Sequence, residues 1–182
     1  GVIGEGDVQW MTAASGLLHK EYHEESFSRA GGLFQMVQLW VNLPAKYKMT
    51  KPKYQEITHA MMGKHLLKDD KGLIEVIAGE YNGTKGPAST FTPVQVYNAR
   101  LKKGAEVEFN FPSAYNTGIL VIEGSATING KFSATDHFVL FKNDGELISI
   151  EAGEDAILLI LSGEPIDEPI AQYGPFLMNT WD

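Results

Sequence analysis

Cysteine is absent from the 182-residue chain, which removes disulfides, thiolate metal sites, iron–sulfur clusters and cysteine nucleophiles together. Any metal must therefore rest on His, Asp or Glu. Basic residues are the minority, 15 against 23 acidic, for a net charge of -8 and a pI near 5.1. A phosphate backbone is held by a concentrated positive field, so no direct nucleic-acid binding is expected. No apolar run approaches the ~18 residues of a membrane span. The opening GVIGEGDVQW carries neither the basic region nor the apolar stretch of a signal peptide. The expectation is a cytoplasmic protein without a membrane partner. Low-complexity tracts are missing, as are Walker, dinucleotide-glycine and nucleophile-elbow patterns.

What is present is enough apolar material, 43% of residues, for one or two folded domains with a sizeable core. Helical periodicity is scarce, whereas short runs rich in Val, Ile and Phe recur between Gly, Asn, Asp and Pro. The reading is all-β. Leu33 to Leu43 is the longest strand candidate, followed by Val94 to Leu101, Ala105 to Phe111, Gly118 to Ile122, His137 to Phe141, Leu147 to Ile150 and Ala156 to Leu161. The last six have the spacing of a sandwich or barrel. Pro44 to Asp70 reads as a polar connection, with helix expected only around Lys53 to His65. Asn82-Gly83, Asn129-Gly130 and Asp144-Gly145 each suit a tight hairpin, because glycine tolerates the positive φ such turns require.

Laying Asp7 on Asp136 aligns Gly6 to Glu21 with Thr135 to Ile150 and brings Gly16 onto Gly145 without a gap. The two segments read as copies of one β-module, in which His19 falls on Ile148 and Glu21 on Ile150. The inward-facing polar pair expected of the first copy thus becomes an inward-facing apolar pair in the second. Strands precede the second copy from Val94 onward, while the first begins almost at Gly1. The expectation is a fragment, or a chain whose missing strands come from another polypeptide, with an exposed sheet edge that favours association with that piece or with itself.

In an extended strand His19 and Glu21 share a face with Cα atoms ~6.8 Å apart, a spacing that suits two ligands on one metal. An ordinary surface pair has the same spacing. His23 lies on that face ~13.6 Å from His19, too far for one ion in a straight strand. A helical HKEYH would put His19 and His23 at i, i+4, but a zinc peptidase needs Glu directly after the first His, where Lys20 stands. His59, His65 and His137 show no mutual ligand spacing and read as surface residues. Trp10, Met11, Phe34, Met36 and Trp40 suit either a core or the wall of a cavity for a flat aromatic ligand.

The stretch GDVQWMTAASGLLHKE, then QLWVNLPAKYKMTKPKYQEI, then GEPIDEPIAQYGPFLMNT resembles the pirin family of the cupin superfamily over nearly the whole chain. The resemblance implies a bicupin of two double-stranded β-helix (jelly-roll) modules, the first incomplete here. Residues 1–43 would be the remainder of an N-terminal metal-binding module, 44–90 connecting segment and inter-module strands, and 91–182 a metal-free C-terminal module. It also implies one iron held by three His and one Glu. The third His and the Glu lie in an ILHxE-type segment, here Leu17 to Glu21, so His19 and Glu21 are the implied metal ligands and Glu21 a catalytic candidate. The other two His belong to an HxH motif that these 182 residues do not contain, and the second module's Asn110-Phe111-Pro112 has no His either.

The function this implies is quercetin 2,3-dioxygenase-type oxidation, with a flavonol and dioxygen as small-molecule partners. The alternative is a redox-responsive regulatory module that binds a protein partner without turnover.

Overall fold

The computed structural model describes residues 1–181. In chain order the strands are β1 (Val8–Thr12), β2 (Lys53–Ile57), β3 (Gly63–Leu66), β4 (Gly72–Ala78), β5 (Glu80–Tyr81), β6 (Thr84–Lys85), β7 (Val94–Leu101) and β8 (Glu106–Asn110). They continue as β9 (Asn116–Glu123), β10 (Ser125–Ile128), β11 (Lys131–Ala134), β12 (Phe138–Leu140), β13 (Leu147–Ala152), β14 (Ala156–Gly163), β15 (Ala171–Tyr173) and β16 (Phe176–Met178). Two short helices, α1 (Glu25–Ala30) and α2 (Ala45–Lys48), interrupt them. The all-β expectation holds. The chain divides into two compact units, one of Ile57–Pro165 and one of Gly1–Glu56 with the residues from Ile166 onward.

The Ile57–Pro165 unit is a sandwich of a six-stranded sheet, ordered β12-β9-β14-β7-β4-β3, and a four-stranded sheet, ordered β11-β10-β13-β8. Alternation along each strand sends every second side chain inward. The six-stranded sheet contributes Ile74, Val76, Tyr97, Ile119, Val121, Leu158 and Ile160, and the four-stranded sheet Val107, Phe109, Ile128, Ile148 and Ile150, to one core. Ile148 and Ile150 are 5% and 2% exposed, so the inward apolar pair of the second copy stands as the repeat alignment requires. They sit in β13, which pairs with β8 on one side and β10 on the other. Tyr97, Phe109 and Phe111 stack through the interior, with centroids 5.9 and 6.1 Å apart. The Tyr97 hydroxyl donates to the Glu80 carbonyl at 2.8 Å, and burial pushes the phenol far above its usual range.

One charge is fully buried on this unit's six-stranded sheet. Glu75 interrupts the apolar run of β4 at 0% exposure. One carboxylate oxygen is bonded to His59 Nε2, in the 3-10 turn His59–Met61, and the other accepts from Arg100 Nε at 2.9 Å. Removing a carboxylate from water costs several kcal/mol unless it is paired and hydrogen-bonded, and these two contacts meet that requirement.

The other unit holds the β1-β2 pair, the β15-β16 ribbon and both helices. Its polar anchor is Lys48, buried at the end of α2, whose ammonium donates to Asn42 Oδ1 at 2.6 Å and to the Leu177 carbonyl at 3.1 Å. Burial lowers its pKa, against the opposing pull of Glu168. Glu168 in turn accepts from the Ala45 N–H at 2.6 Å and from Asn179 Nδ2 at 3.2 Å.

Local expectations and local structure agree unevenly. β7 has the expected limits, and β8, β9, β12, β13 and β14 fall within a few residues of theirs. Asn82-Gly83 and Asn129-Gly130 close hairpins, all four residues at positive φ. Asp144-Gly145 does not: it links β12 of one sheet to β13 of the other. Leu33 to Leu43 is not a strand, and much of it is exposed. Its alternation is strand-like, but no strand among the described residues lies alongside to form a ladder. The helix expected around Lys53 to His65 is instead β2, a 3-10 turn and β3. β-Ladders outweigh the weak helical propensity of this polar stretch.

Two stability predictions follow for the Ile57–Pro165 sandwich. Ile148→Ala should cost ~2–5 kcal/mol, as a large-to-small change at a packed site, read as a lowered urea midpoint. Arg100→Met leaves Glu75 buried with half its compensation. It should cost toward the lower end of the ~3–5 kcal/mol typical of a broken buried pair, and an unchanged midpoint would show that water already reaches the carboxylate.

Candidate functional site

The segment carrying His19 and Glu21 runs between two anchored points of the Gly1–Glu56 unit. Upstream, the Gly16 N–H donates to the Ala13 carbonyl at 2.9 Å and the Ser15 N–H to the Thr50 carbonyl at 3.1 Å. Downstream, Glu24 caps α1, accepting from the Phe27 N–H at 3.0 Å and from the Ser26 hydroxyl. Those bonds, the Ser26 hydroxyl foremost, hold the Glu24 carboxyl below the usual carboxylate range. Between the anchors the backbone is irregular, without the strand that the sequence pattern suggests. The corresponding residues of the second copy are a strand because β8 and β10 pair with it on both sides. Leu17 to Glu21 has no paired strand among the described residues.

The two side chains nonetheless meet. His19 Nδ1 and Glu21 Oε1 are 3.9 Å apart, with the side chains 42% and 43% exposed. The contact is longer than a hydrogen bond and leaves lone pairs of both groups available. An imidazole nitrogen beside a carboxylate oxygen is the donor chemistry that iron and its first-row neighbours accept. The pair offers two donors, and no cluster of three or more His, Asp or Glu suited to a metal occurs among the described residues.

The remaining sequence candidates disperse. His23 packs against Phe27 and Phe34. His59 is bonded to Glu75, His65 meets the Tyr81 ring edge-on at 5.1 Å, and His137 Nδ1 lies 3.2 Å from the Thr135 carbonyl. Phe34, Met36 and Trp40 are largely exposed, while Trp10 and Met11 are half-buried. In the Ile57–Pro165 sandwich a cavity of about 80 Å³ lies against Phe111, Tyr115, Thr117, Phe141 and Ile148. Small-molecule sites usually span ~300–1,000 Å³, so this cavity is small for one.

Sequence reasoning missed two ionic arrangements, His59–Glu75–Arg100 and the buried Lys48. The first had a signal. A lone acid inside GLIEVIA must either break the strand or find partners. Lys48 had none, since a lysine in a polar stretch reads as surface.

Two family descriptions match the chain: "Pirin" over residues 1–41 and "Pirin C-terminal cupin domain" over residues 96–182. A Pseudomonas aeruginosa protein named "Putative quercetin 2,3-dioxygenase" is 44% identical over 180 residues, 99% of this chain and 63% of that protein. A Thermoplasma acidophilum protein of the same name is 30% identical over 203 residues, covering all of this chain and 75% of that protein. The crystal structure of quercetin 2,3-dioxygenase from Acinetobacter baumannii superimposes with a TM-score of 0.93 at 43% identity, over 98% of this chain and 62% of that one. The chain therefore spans a little under two thirds of the length of the Pseudomonas and Acinetobacter proteins. With its two-sheet sandwich, its alternating inward residues and these matches along the whole sequence, the chain belongs to the pirin family of cupin proteins.

Proposed function

We infer that this chain is the greater part of a pirin-type oxidoreductase that oxidises a flavonol with dioxygen, using one iron held by His19, Glu21 and two further His from outside these residues. The observation that carries the reading is the meeting of His19 and Glu21 at 3.9 Å in a chain whose relatives at 43–44% identity are named for quercetin 2,3-dioxygenase. The division into residues 1–43, 44–90 and 91–182 belongs to the same proposal, as do iron as the metal and the cytoplasm as the location. No helix among the described residues is long and apolar enough to cross a membrane.

When bound, such a metal acts as a Lewis acid that favours the deprotonated flavonol hydroxyl beside its carbonyl. The chain's own residues do the rest. His19 would hold the metal through one ring nitrogen, with the proton on the other. Glu21 is acceptor-only when ionised, so one oxygen is free to take the proton of the flavonol hydroxyl as that group approaches. Their partial exposure keeps both within reach of an incoming ligand. Ile148 and Ile150, at the corresponding places of the second copy, offer no donor, which confines the chemistry to the first.

Two outcomes are expected. In iron-loaded protein carrying this chain, oxygen uptake should accompany loss of the flavonol absorbance. His19→Ala should abolish metal and turnover together, whereas Glu21→Gln should retain measurable metal and lose at least tenfold in kcat as the base disappears. Full iron loading without oxygen uptake would sink the oxidoreductase reading, and a change of protein-partner affinity with iron oxidation state would establish the regulatory one. The 182 residues by themselves, with two donors on the ion, should release iron during gel filtration. Stoichiometric retention would show that His23 or another side chain is a third ligand.

A further inference from the structure

Two buried hydroxyls meet inside the Ile57–Pro165 sandwich. The alternation that sends Ile119 and Val121 of β9 and Leu158 and Ile160 of β14 into the core also sends Thr117 and Ser162 inward. The two are register partners on adjacent strands, with their hydroxyl oxygens 2.8 Å apart. Thr117 is 7% and Ser162 4% exposed. Each hydroxyl carries one proton and two lone pairs. The bond between them uses one proton, and no further acceptor among the described residues takes the other. Burying a donor without an acceptor is costly, so that proton calls for a partner.

Thr117 also forms part of the wall of the cavity of about 80 Å³. At its inner end the neighbours are the buried side chains of Phe111 and Ile148, with half-buried Tyr115 and Phe141 further out and exposed Lys142, Asp144 and Glu146 at the rim. All of these lie within one compact unit. Backbone bonds hold the frame open. The Phe111 N–H donates to the Glu146 carbonyl at 3.0 Å, the Phe141 N–H to the Thr117 carbonyl at 3.1 Å, and Asn143 Nδ2 to the Ala114 carbonyl at 3.2 Å.

Size and chemistry narrow the occupant. A water needs ~10–15 Å³, and an apolar cavity of ~150 Å³ accepts benzene, so a volume between the two suits about four non-hydrogen atoms. A water also needs two or more polar partners, and beside Thr117 the Phe111 and Ile148 side chains offer none. An alcohol would bring a further proton to bury, whereas a carbonyl oxygen only accepts. Two carboxylates against one ammonium at the rim, on a chain of net charge -8, disfavour anions.

We propose that this cavity binds a short neutral carbonyl compound, a ketone or amide, whose oxygen accepts the Thr117 proton while Ser162 donates to Thr117. The site is separate from the His19–Glu21 pair and stands whether or not that pair supports oxidation. Acetone, isopropanol and acetate, matched in size, isolate the requirement for a neutral acceptor.

In two-dimensional NMR of isotope-labelled protein, acetone should shift the amide signals of Thr117 and Ile148 saturably, with a Kd of roughly 1–10 mM for so few atoms. Acetate should bind at least tenfold more weakly, and isopropanol at least threefold. Thr117→Val, which keeps the shape of the side chain and removes the proton, should weaken acetone at least fivefold. If that variant does not fold, Phe141→Trp, which fills the cavity from its half-buried wall, should abolish the acetone shifts. Absence of a saturable shift in wild type would overturn the proposal, as would acetate or isopropanol binding as tightly as acetone. Wild-type acetone affinity in folded Thr117→Val protein would overturn it equally, and so would shifts that survive Phe141→Trp. None of these readings requires iron or a flavonol, so their failure is distinct from failure of the oxidoreductase reading.

Discussion

Backbone pairing on both sides of a strand decides which parts of this chain are ordered as sheet, and the rest of the structure follows from where such pairing is available. An extended segment with only one partner, or none, exposes a row of N–H and C=O groups that water satisfies as well as a neighbour would. β13 lies between β8 and β10. Its alternation is therefore converted into two faces, and Ile148 and Ile150 are driven inward. The aligned Leu17 to Glu21 has comparable alternation and no such neighbours among the described residues, so its polar pair, expected to face inward, is instead at the surface. One pattern written twice thus yields a hydrophobic core in one place and a half-exposed His–Glu pair in the other.

The same constraint separates what could be read in the amino acids from what could not. β7 was legible to the residue because Val94 to Leu101 is bounded by Pro93 and Lys102 and pairs with β4 and β14. Leu33 to Leu43 carries a stronger apolar pattern than several true strands, yet it is not one, because alternation records a preference for a sheet face and not the presence of a sheet. Lys53 to His65 misled in the opposite direction, being polar enough to hide β2 and β3. Glu75 was visible as an anomaly in an apolar run, although nothing local named His59, 16 positions earlier, as its partner.

For the site, spacing alone left His19 and Glu21 equally a ligand pair or an ordinary surface pair. The contact between them brings an imidazole nitrogen and a carboxylate oxygen together, which spacing along the chain does not by itself ensure. The aromatic grouping around His23 was illegible for a different reason. It depends on a chain reversal at Gly31 and Gly32 whose direction comes from backbone angles, and two adjacent glycines permit many.

The order of strands in the Ile57–Pro165 sandwich has a further consequence for how the protein behaves when crowded. Three of its four sheet edges are β3, β11 and β12, of four, four and three residues. The fourth, β8, alternates exposed Glu106 and Glu108 with its buried residues. An intruding strand would gain only a few hydrogen bonds at the short edges and would meet like charge at the long one, since the chain as a whole is acidic. Brevity and negative charge thus act as end-stops on sheet growth, so that a sandwich built of two open sheets has little tendency to extend into fibrils.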